Sequence, residues 1–188
     1  MALITPSTAC IAGRTHLVCL CILALCALTS VAHAQQDERA VRAAYLFNLS
    51  KYVSWPLDSR ELRICSLADD SGGRQLKRIL DGKISEGRVV RVLEAPAQAE
   101  QRHCAILYFG NAPAKRCNDV LRELGNSPVL TVSDDPQFIH QGGMVGLIRA
   151  DDQIQLQVNL DAVRSTGIQM SSRLLSIAVI VRAGGANR

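Results

Sequence analysis

Two pairs of residues that are close in the sequence have the side chains that nucleophilic catalysis needs. Ser133 follows a predicted strand, and His140 lies seven residues further on, so a hydroxyl nucleophile and an imidazole base are both present. His103 precedes Cys104 and could activate its thiol. Groups this close in sequence rarely reach the required mutual geometry. We therefore expect Ser133 in a turn, His140 on the surface and Cys104 in a disulfide.

Two acidic pairs, Asp134-Asp135 and Asp151-Asp152, follow or connect predicted strands. They could support acid–base chemistry or bind a cation. Carboxylates adjacent in a strand or turn point apart, so we expect solvated turn residues. Widely spaced cysteines and few histidines give no zinc pattern. A nucleophile elbow and a phosphate-binding loop are also absent from the sequence. The sequence predicts a binding or regulatory protein, not an enzyme, with no metal and no cofactor.

The composition of the chain limits its class and its partners. It has 188 residues, 48% of them hydrophobic and 20% charged, which is typical of one folded domain. The 21 Lys and Arg exceed the 17 Asp and Glu by only four charges, and no basic block occurs. Aromatic residues make up 4%, too few for base-stacking platforms. We expect no nucleic-acid partner.

The N-terminal segment has the pattern of a secretory signal peptide. Residues 17–31 are uncharged and largely apolar, Arg14 precedes them, and Ala32-His33-Ala34 forms an A-x-A cleavage site. The apolar stretch is shorter than the roughly 20 residues of a membrane span. We predict a signal peptide over 1–34, cleavage after Ala34, export to the periplasm and a single domain over 35–188. The alternative is a retained N-terminal anchor.

Three cysteines remain after the predicted cleavage: Cys65, Cys104 and Cys117. In an oxidising compartment two would pair and one would remain. Three pairings are possible, and Cys65–Cys104 is favoured because each of these residues lies in or beside a predicted strand. Cys117 falls in a polar helical stretch, where it would be buried and inert. The alternative is three reduced, buried thiols.

Helical and strand patterns alternate along most of the chain, which indicates a sheet covered by helices. Helices are predicted over 35–53, 74–80, 114–124, from Leu160 towards Gly167, and over 173–181, and strands over 62–67, 88–93, 104–109, 129–132, 144–149 and 154–158. Asn159 and Ser171-Ser172 are the expected caps of the last two helices. We expect an α/β/α sandwich whose mixed central sheet has about six strands, with helices on both faces.

An ordered set of short segments resembles the YfiR family of exported regulators over about residues 41–181. The similar segments are Tyr45 with Lys51-Tyr52-Val53 and Trp55-Pro56, Ile64-Cys65, residues 104–108 (CAILY), residues 128–134 (PVLTVSD), Phe138, residues 142–146 (GGMVG), residues 158–162 (VNLDA), Gly167, residues 171–175 (SSRLL) and Ala178.

This resemblance implies a periplasmic protein of Gram-negative bacteria. Such a protein would repress an inner-membrane diguanylate cyclase by binding its periplasmic domain, which lowers cyclic-di-GMP and restrains biofilm formation. Redox or envelope stress would release the repressor. The resemblance also implies a homodimer and supports the Cys65–Cys104 bridge. Better-known members carry a second cysteine pair, but residues 134–158 contain no cysteine, so control through a second bridge is not expected here.

A repressor of this kind needs apolar anchors beside a few polar groups. We predict that the partner-binding surface is built by the last hairpin strand and the helix that follows it. Its expected members are Gln157, Leu160, Val163, Gln169, Ser171 and Trp55. A second hypothesis is a periplasmic small-molecule sensor that acts on a histidine kinase or another membrane receptor.

Overall fold

The first helix, α1, occupies residues 38–52 in the computed structural model, which describes residues 38–182 apart from 57–58, 68–70, 111 and 152. Its buried side chains, Ala43, Leu46 and Leu49, recur every three residues and form one apolar face. The helix ends before Trp55-Pro56, as expected from the restriction that a proline places on the preceding residue. The predicted signal peptide and its cleavage site lie outside the described residues.

In the described residues, fifteen further elements follow α1, and strands alternate with helices except at three places where strand follows strand. In chain order they are β1 (Val53–Ser54), β2 (Glu61–Ser66), α2 (Ser71–Leu80), β3 (Ile84–Ser85), β4 (Arg88–Glu94), α3 (Gln98–Gln101), β5 (Ile106–Tyr108), α4 (Ala114–Leu124), β6 (Leu130–Ser133), β7 (Val145–Ala150), β8 (Gln153–Asn159), α5 (Leu160–Ser165), β9 (Gln169–Met170), α6 (Ser172–Leu175) and β10 (Val179–Val181).

The main sheet has eight strands in the order β10-β8-β7-β6-β5-β2-β4-β3. The central strands β4, β2, β5, β6 and β7 run parallel to one another. The β7–β8 hairpin and the β3–β4 pair are antiparallel, so the sheet is mixed. The predicted α/β fold with a mixed sheet is confirmed. The strand number exceeds the expected six because β3 and β10 are only two and three residues long, too short for a readable alternation.

The predicted helix over 173–181 is wrong in its second half. Ser171 does cap α6, since its hydroxyl accepts from the Leu174 amide at 3.2 Å. The helix then ends at Leu175, and β10 follows at Val179–Val181, parallel to β8. Three consecutive β-branched residues favour an extended chain, and the free edge of β8 supplies their hydrogen-bonding partner.

Alternating side chains place one hydrophobic cluster on each face of the sheet. On β5, Ile106 and Tyr108 belong to the cluster that includes α1, while Leu107 and its neighbour Phe109 belong to the cluster beneath α4. Helices therefore cover both faces, as predicted. In the described ranges, no helix is both long and apolar enough to cross a membrane. Arg39–Arg188 forms one compact unit, and the domain boundary after Ala34 stays a prediction.

Candidate partner-binding surface

The possible nucleophiles are engaged in structural contacts. The Ser133 hydroxyl is fully buried, donates to the Gly110 carbonyl at 3.0 Å and accepts from the Asp135 amide at 3.2 Å. Ser133 is thus the last residue of β6 and holds the turn that follows, so its expected place within the turn is wrong. His140 is exposed, as expected. Cys104 is bonded to Cys65, so it offers no thiol.

The Cys65–Cys104 bridge that the sequence favoured is present. It spans 5.9 Å between the two Cα atoms and joins β2 to the segment that leads into β5, its neighbour in the sheet. Cys117 is free, 1% exposed, and packed in the cluster beneath α4. Burial raises the pKa of the Cys117 thiol, with a smaller contribution from the negative charge of Asp135.

The expectation of a solvated Asp134 is wrong. Its side chain is 7% exposed, lies 2.8 Å from the Arg42 guanidinium and accepts from the Tyr108 hydroxyl at 2.6 Å. The position of Asp134 directly after a predicted strand is a sequence signal for a buried carboxylate. The sequence does not reveal its partner, Arg42, because the two residues meet only in the tertiary fold. Among the described residues, no group of His, Cys, Asp and Glu could hold a metal ion.

The predicted surface residues near β8 and α5 differ in their access to solvent. Gln157 is half-buried, donates to the Gln155 side chain at 3.0 Å and lies in register with Val179 of β10. Leu160 is half-buried at the start of α5, whose cap is the Asn159 side chain as predicted. Val163 is 1% exposed and belongs to the core, so it fixes α5 against the sheet and does not itself reach the surface.

The other three predicted residues meet at a small two-stranded sheet. Strand β1 pairs with β9 so that Ser54 faces Gln169, and the Ser171 amide donates to the Tyr52 carbonyl at 2.9 Å. Trp55 follows β1 directly, and its indole N–H donates to the Ala105 carbonyl at 2.9 Å. The structure thus brings Trp55, Gln169 and Ser171 into one region, and contact with a partner stays a prediction for the whole set.

An exposed apolar surface, which the sequence did not reveal, lies at one edge of the main sheet. Ile177 is 70% exposed, Val179 43% and Ile180 42%; these three residues are called the β10 edge below. They were missed because the helix predicted over 173–181 would have turned such residues inward. A strand edge with apolar side chains is a common site of association with another chain.

The fold and this surface define a disulfide-bonded α/β module with an exposed apolar strand at one edge of its main sheet. A family model described as YfiR/HmsC-like (DUF4154) matches residues 39–179. The chain belongs to this YfiR/HmsC-like family. This is a family of periplasmic regulators of cyclic-di-GMP signalling, and the family is regulatory and not catalytic.

A solved structure has the same type of fold. It is the crystal structure of a conserved domain protein from Vibrio cholerae O1 biovar El Tor strain N16961, with a TM-score of 0.52 and 12% sequence identity. The match covers 73% of this chain and 59% of the Vibrio protein, so the chain spans less than two thirds of that protein's length. At this identity the likeness concerns the fold alone.

Proposed function

We propose that this protein represses an inner-membrane diguanylate cyclase by binding the cyclase's periplasmic domain. The observation that carries the proposal is the family match over residues 39–179, nearly the whole of the described chain. Binding would lower cyclic-di-GMP and restrain biofilm formation. Repression requires that the protein bind the inactive state of the cyclase more tightly than the active state, because equal affinity for both states shifts nothing.

The β10 edge is the surface that we expect the cyclase to cover. Its apolar side chains can supply anchors, and the backbone of an edge strand can pair with an extended segment of another protein. Gln157 lies beside Val179 in the strand register, so a predicted polar contact is adjacent to these anchors. Leu160, Gln169 and Ser171 would extend the interface along the segments that follow β8. Trp55, which follows β1, would join it through the pairing of Ser54 with Gln169.

Deletion of the gene tests the regulatory role directly. Cyclic-di-GMP should rise in the deletion strain, biofilm should increase, and a plasmid copy should reverse both changes. An unchanged cyclic-di-GMP level across growth conditions would contradict the proposal. Crosslinking of a tagged protein in intact cells should capture a membrane diguanylate cyclase, whereas specific capture of a histidine kinase would favour the sensor hypothesis.

A matched pair of variants tests the location of the interface. Ile180→Asp places a charge on the β10 edge, and Ile84→Asp places the same charge on β3 at the opposite edge, where Ile84 is 68% exposed. We expect Ile180→Asp to abolish cyclase capture and repression, and Ile84→Asp to preserve both. Equal unfolding midpoints of the two variants would establish that the difference is not one of stability. Repression that survives Ile180→Asp would place the interface elsewhere.

Two further expectations concern the exported form. We infer cleavage after Ala34, so N-terminal sequencing of the periplasmic protein should begin at Gln35.

We also infer a homodimer, on the basis of the family resemblance. Light scattering at micromolar concentration should give twice the mass of the mature chain, and the monomer mass would contradict this inference.

A further inference from the structure

A basic cavity opens at the amino ends of strands β2, β4 and β5, away from the β10 edge. Its volume is about 290 Å³, and it is bordered by Trp55, Glu61, Arg63, Arg88, Arg102 and His103. These residues come from four separate parts of the chain, which the sheet brings together. The segment after β1 provides the tryptophan, strands β2 and β4 provide two arginines, and the third arginine follows α3.

The charges around this cavity are unbalanced. Three arginines line it, and Glu61 is the one acidic residue among its lining residues. Glu61 lies 3.7 Å from Arg63, and both side chains are close to half exposed, so this ion pair is weak. The excess positive charge favours an anion. Guanidinium groups bind phosphate and carboxylate through paired, planar hydrogen bonds.

Part of the cavity is held in place by contacts with the protein itself. The Arg88 guanidinium donates to the Ser50 carbonyl at 3.2 Å and lies 5.3 Å from the centre of the Trp55 ring. Arg102 donates to the Glu123 carbonyl. The Trp55 indole is anchored on Ala105, as described above. Such contacts restrict the side chains before a ligand arrives, which reduces the entropy lost on binding.

We propose that this cavity binds a phosphate group. A dianion with several acceptor oxygens can engage three guanidinium groups at once, whereas a single carboxylate has two oxygens and one charge. The phosphate can belong to a small soluble phosphate monoester or to phosphatidic acid, a lipid whose headgroup is itself a phosphate monoester. This ligand site goes beyond the proposed function and does not depend on it.

The chain's single tryptophan makes binding measurable, because Trp55 borders the cavity. Titration of the exported protein with inorganic phosphate, at ionic strength held constant with sodium chloride, should change Trp55 fluorescence in a saturable way. Calorimetry under the same conditions should give the same Kd. Fluorescence and heat that both fail to saturate below about 10 mM phosphate would overturn the proposal.

Arg63→Gln and Arg91→Gln form a matched pair of variants. The two residues face each other in the β2–β4 register and are 47% and 50% exposed, but only Arg63 borders the cavity. Arg63→Gln should weaken phosphate binding about tenfold, while Arg91→Gln should leave it nearly unchanged. Glu61→Gln should tighten binding about threefold. Equal weakening by both arginine variants would show a general effect of surface charge and overturn the proposal.

Two ligands distinguish the source of the phosphate. If the ligand is a soluble monoester, glycerol 3-phosphate should bind with Arg63-dependent affinity, and vesicles of phosphatidic acid in phosphatidylcholine should not retain the protein. If it is a lipid headgroup, the vesicles should retain the protein, Arg63→Gln should release it, and inorganic phosphate should compete. Vesicle binding that neither Arg63→Gln nor phosphate affects would be unrelated to the cavity and would contradict the lipid alternative.

Discussion

Arg42 and Asp134 form an ion pair that fastens the first helix to the carboxyl end of strand β6. The Arg42 Nε and Asp134 Oδ2 atoms are 2.8 Å apart, and the two side chains are only 18% and 7% exposed. The Tyr108 hydroxyl donates to the same Asp134 oxygen at 2.6 Å, which adds the end of β5. Helix α1 thus depends on a charged contact as well as on its apolar face.

Removal of the Asp134 charge should destabilise the protein. Asp134→Asn keeps the size of the side chain but takes the carboxylate away from the largely buried Arg42 guanidinium, so we expect the free energy of unfolding to fall by about 3 kcal/mol. The control is Asp119→Asn, because its ion pair with Arg122 is exposed on α4 and should contribute at most about 0.5 kcal/mol. Urea unfolding gives the free energy of unfolding of both variants, and an equal decrease in the two would contradict this role of Asp134.

The sequence predicted those elements whose apolar pattern is long or whose ends carry a clear signal. Helix α4 occupies the predicted residues, and Gly125, at a φ of +54°, follows its last turn. The Asn159 cap fixed the start of α5 in the same way. Strand β10 was missed because three residues are too few to show a strand alternation, and its formation depends on pairing with β8.

Only part of the candidate site could be predicted from the sequence. The cysteine bridge followed from two residues in or beside strands. The buried environment of Asp134 did not, because it requires Arg42 from α1 and Tyr108 from β5 to meet at one end of the sheet. Val163 shows the opposite difficulty, since an apolar residue on a short helix can point outward or inward, and here it is buried.

Loss of the Cys65–Cys104 bridge should also destabilise the protein. The bridge closes a segment with a sequence separation of 39, for which the chain-entropy estimate is about 4 kcal/mol. We expect Cys65→Ala/Cys104→Ala to lose about that much stability in urea. A reducing agent should lower the midpoint of the wild type and leave that of the double variant unchanged. A wild-type midpoint that does not respond to reduction would contradict the prediction.

The Cys117 thiol should react slowly in the folded protein. It is 1% exposed, and burial raises its pKa, so little thiolate is available to an aromatic disulfide reagent. At pH 8 we expect the native protein to react at least about 100 times more slowly than the protein in denaturant, which should titrate as one thiol. Rapid reaction of the native protein would show that α4 opens readily.

The raised pKa of Cys117 also has a consequence for stability at alkaline pH. The Cys117 thiol ionises at a lower pH in the unfolded protein than in the native protein. Its contribution to the free energy of unfolding is therefore fully present below the pKa of the unfolded-state thiol, about 8.5, and is lost as the pH rises through the native pKa. The stability advantage of the wild type over Cys117→Ala should therefore shrink above about pH 8.5. Urea unfolding of both proteins from pH 7 to 10 measures this difference in stability. A difference that grows with pH would contradict the raised pKa of Cys117.

Gly143 should tolerate no side chain, because it lies against the ring of Phe138. A Cβ atom at this position would be 2.2 Å from two ring carbons, and Phe138 is fully buried beside Phe109, with 4.9 Å between ring centres. The ring cannot move aside without disturbing the cluster beneath α4. We expect Gly143→Ala to lower the free energy of unfolding by about 3 kcal/mol through overpacking.

Gly146→Ala is the matched control for this substitution. Its Cβ would meet flexible ends of Ile148 and Ile139 at 3.2–3.3 Å, so the neighbours need to give by only a few tenths of an ångström. The loss should be smaller than that of Gly143→Ala, and Phe138→Leu should partly rescue Gly143→Ala by removing the ring that causes the clash. Urea unfolding of the three single variants and the double variant measures these differences. Since Phe138→Leu alone leaves a cavity, a double variant less stable than either single variant would show that the clash is not the cause.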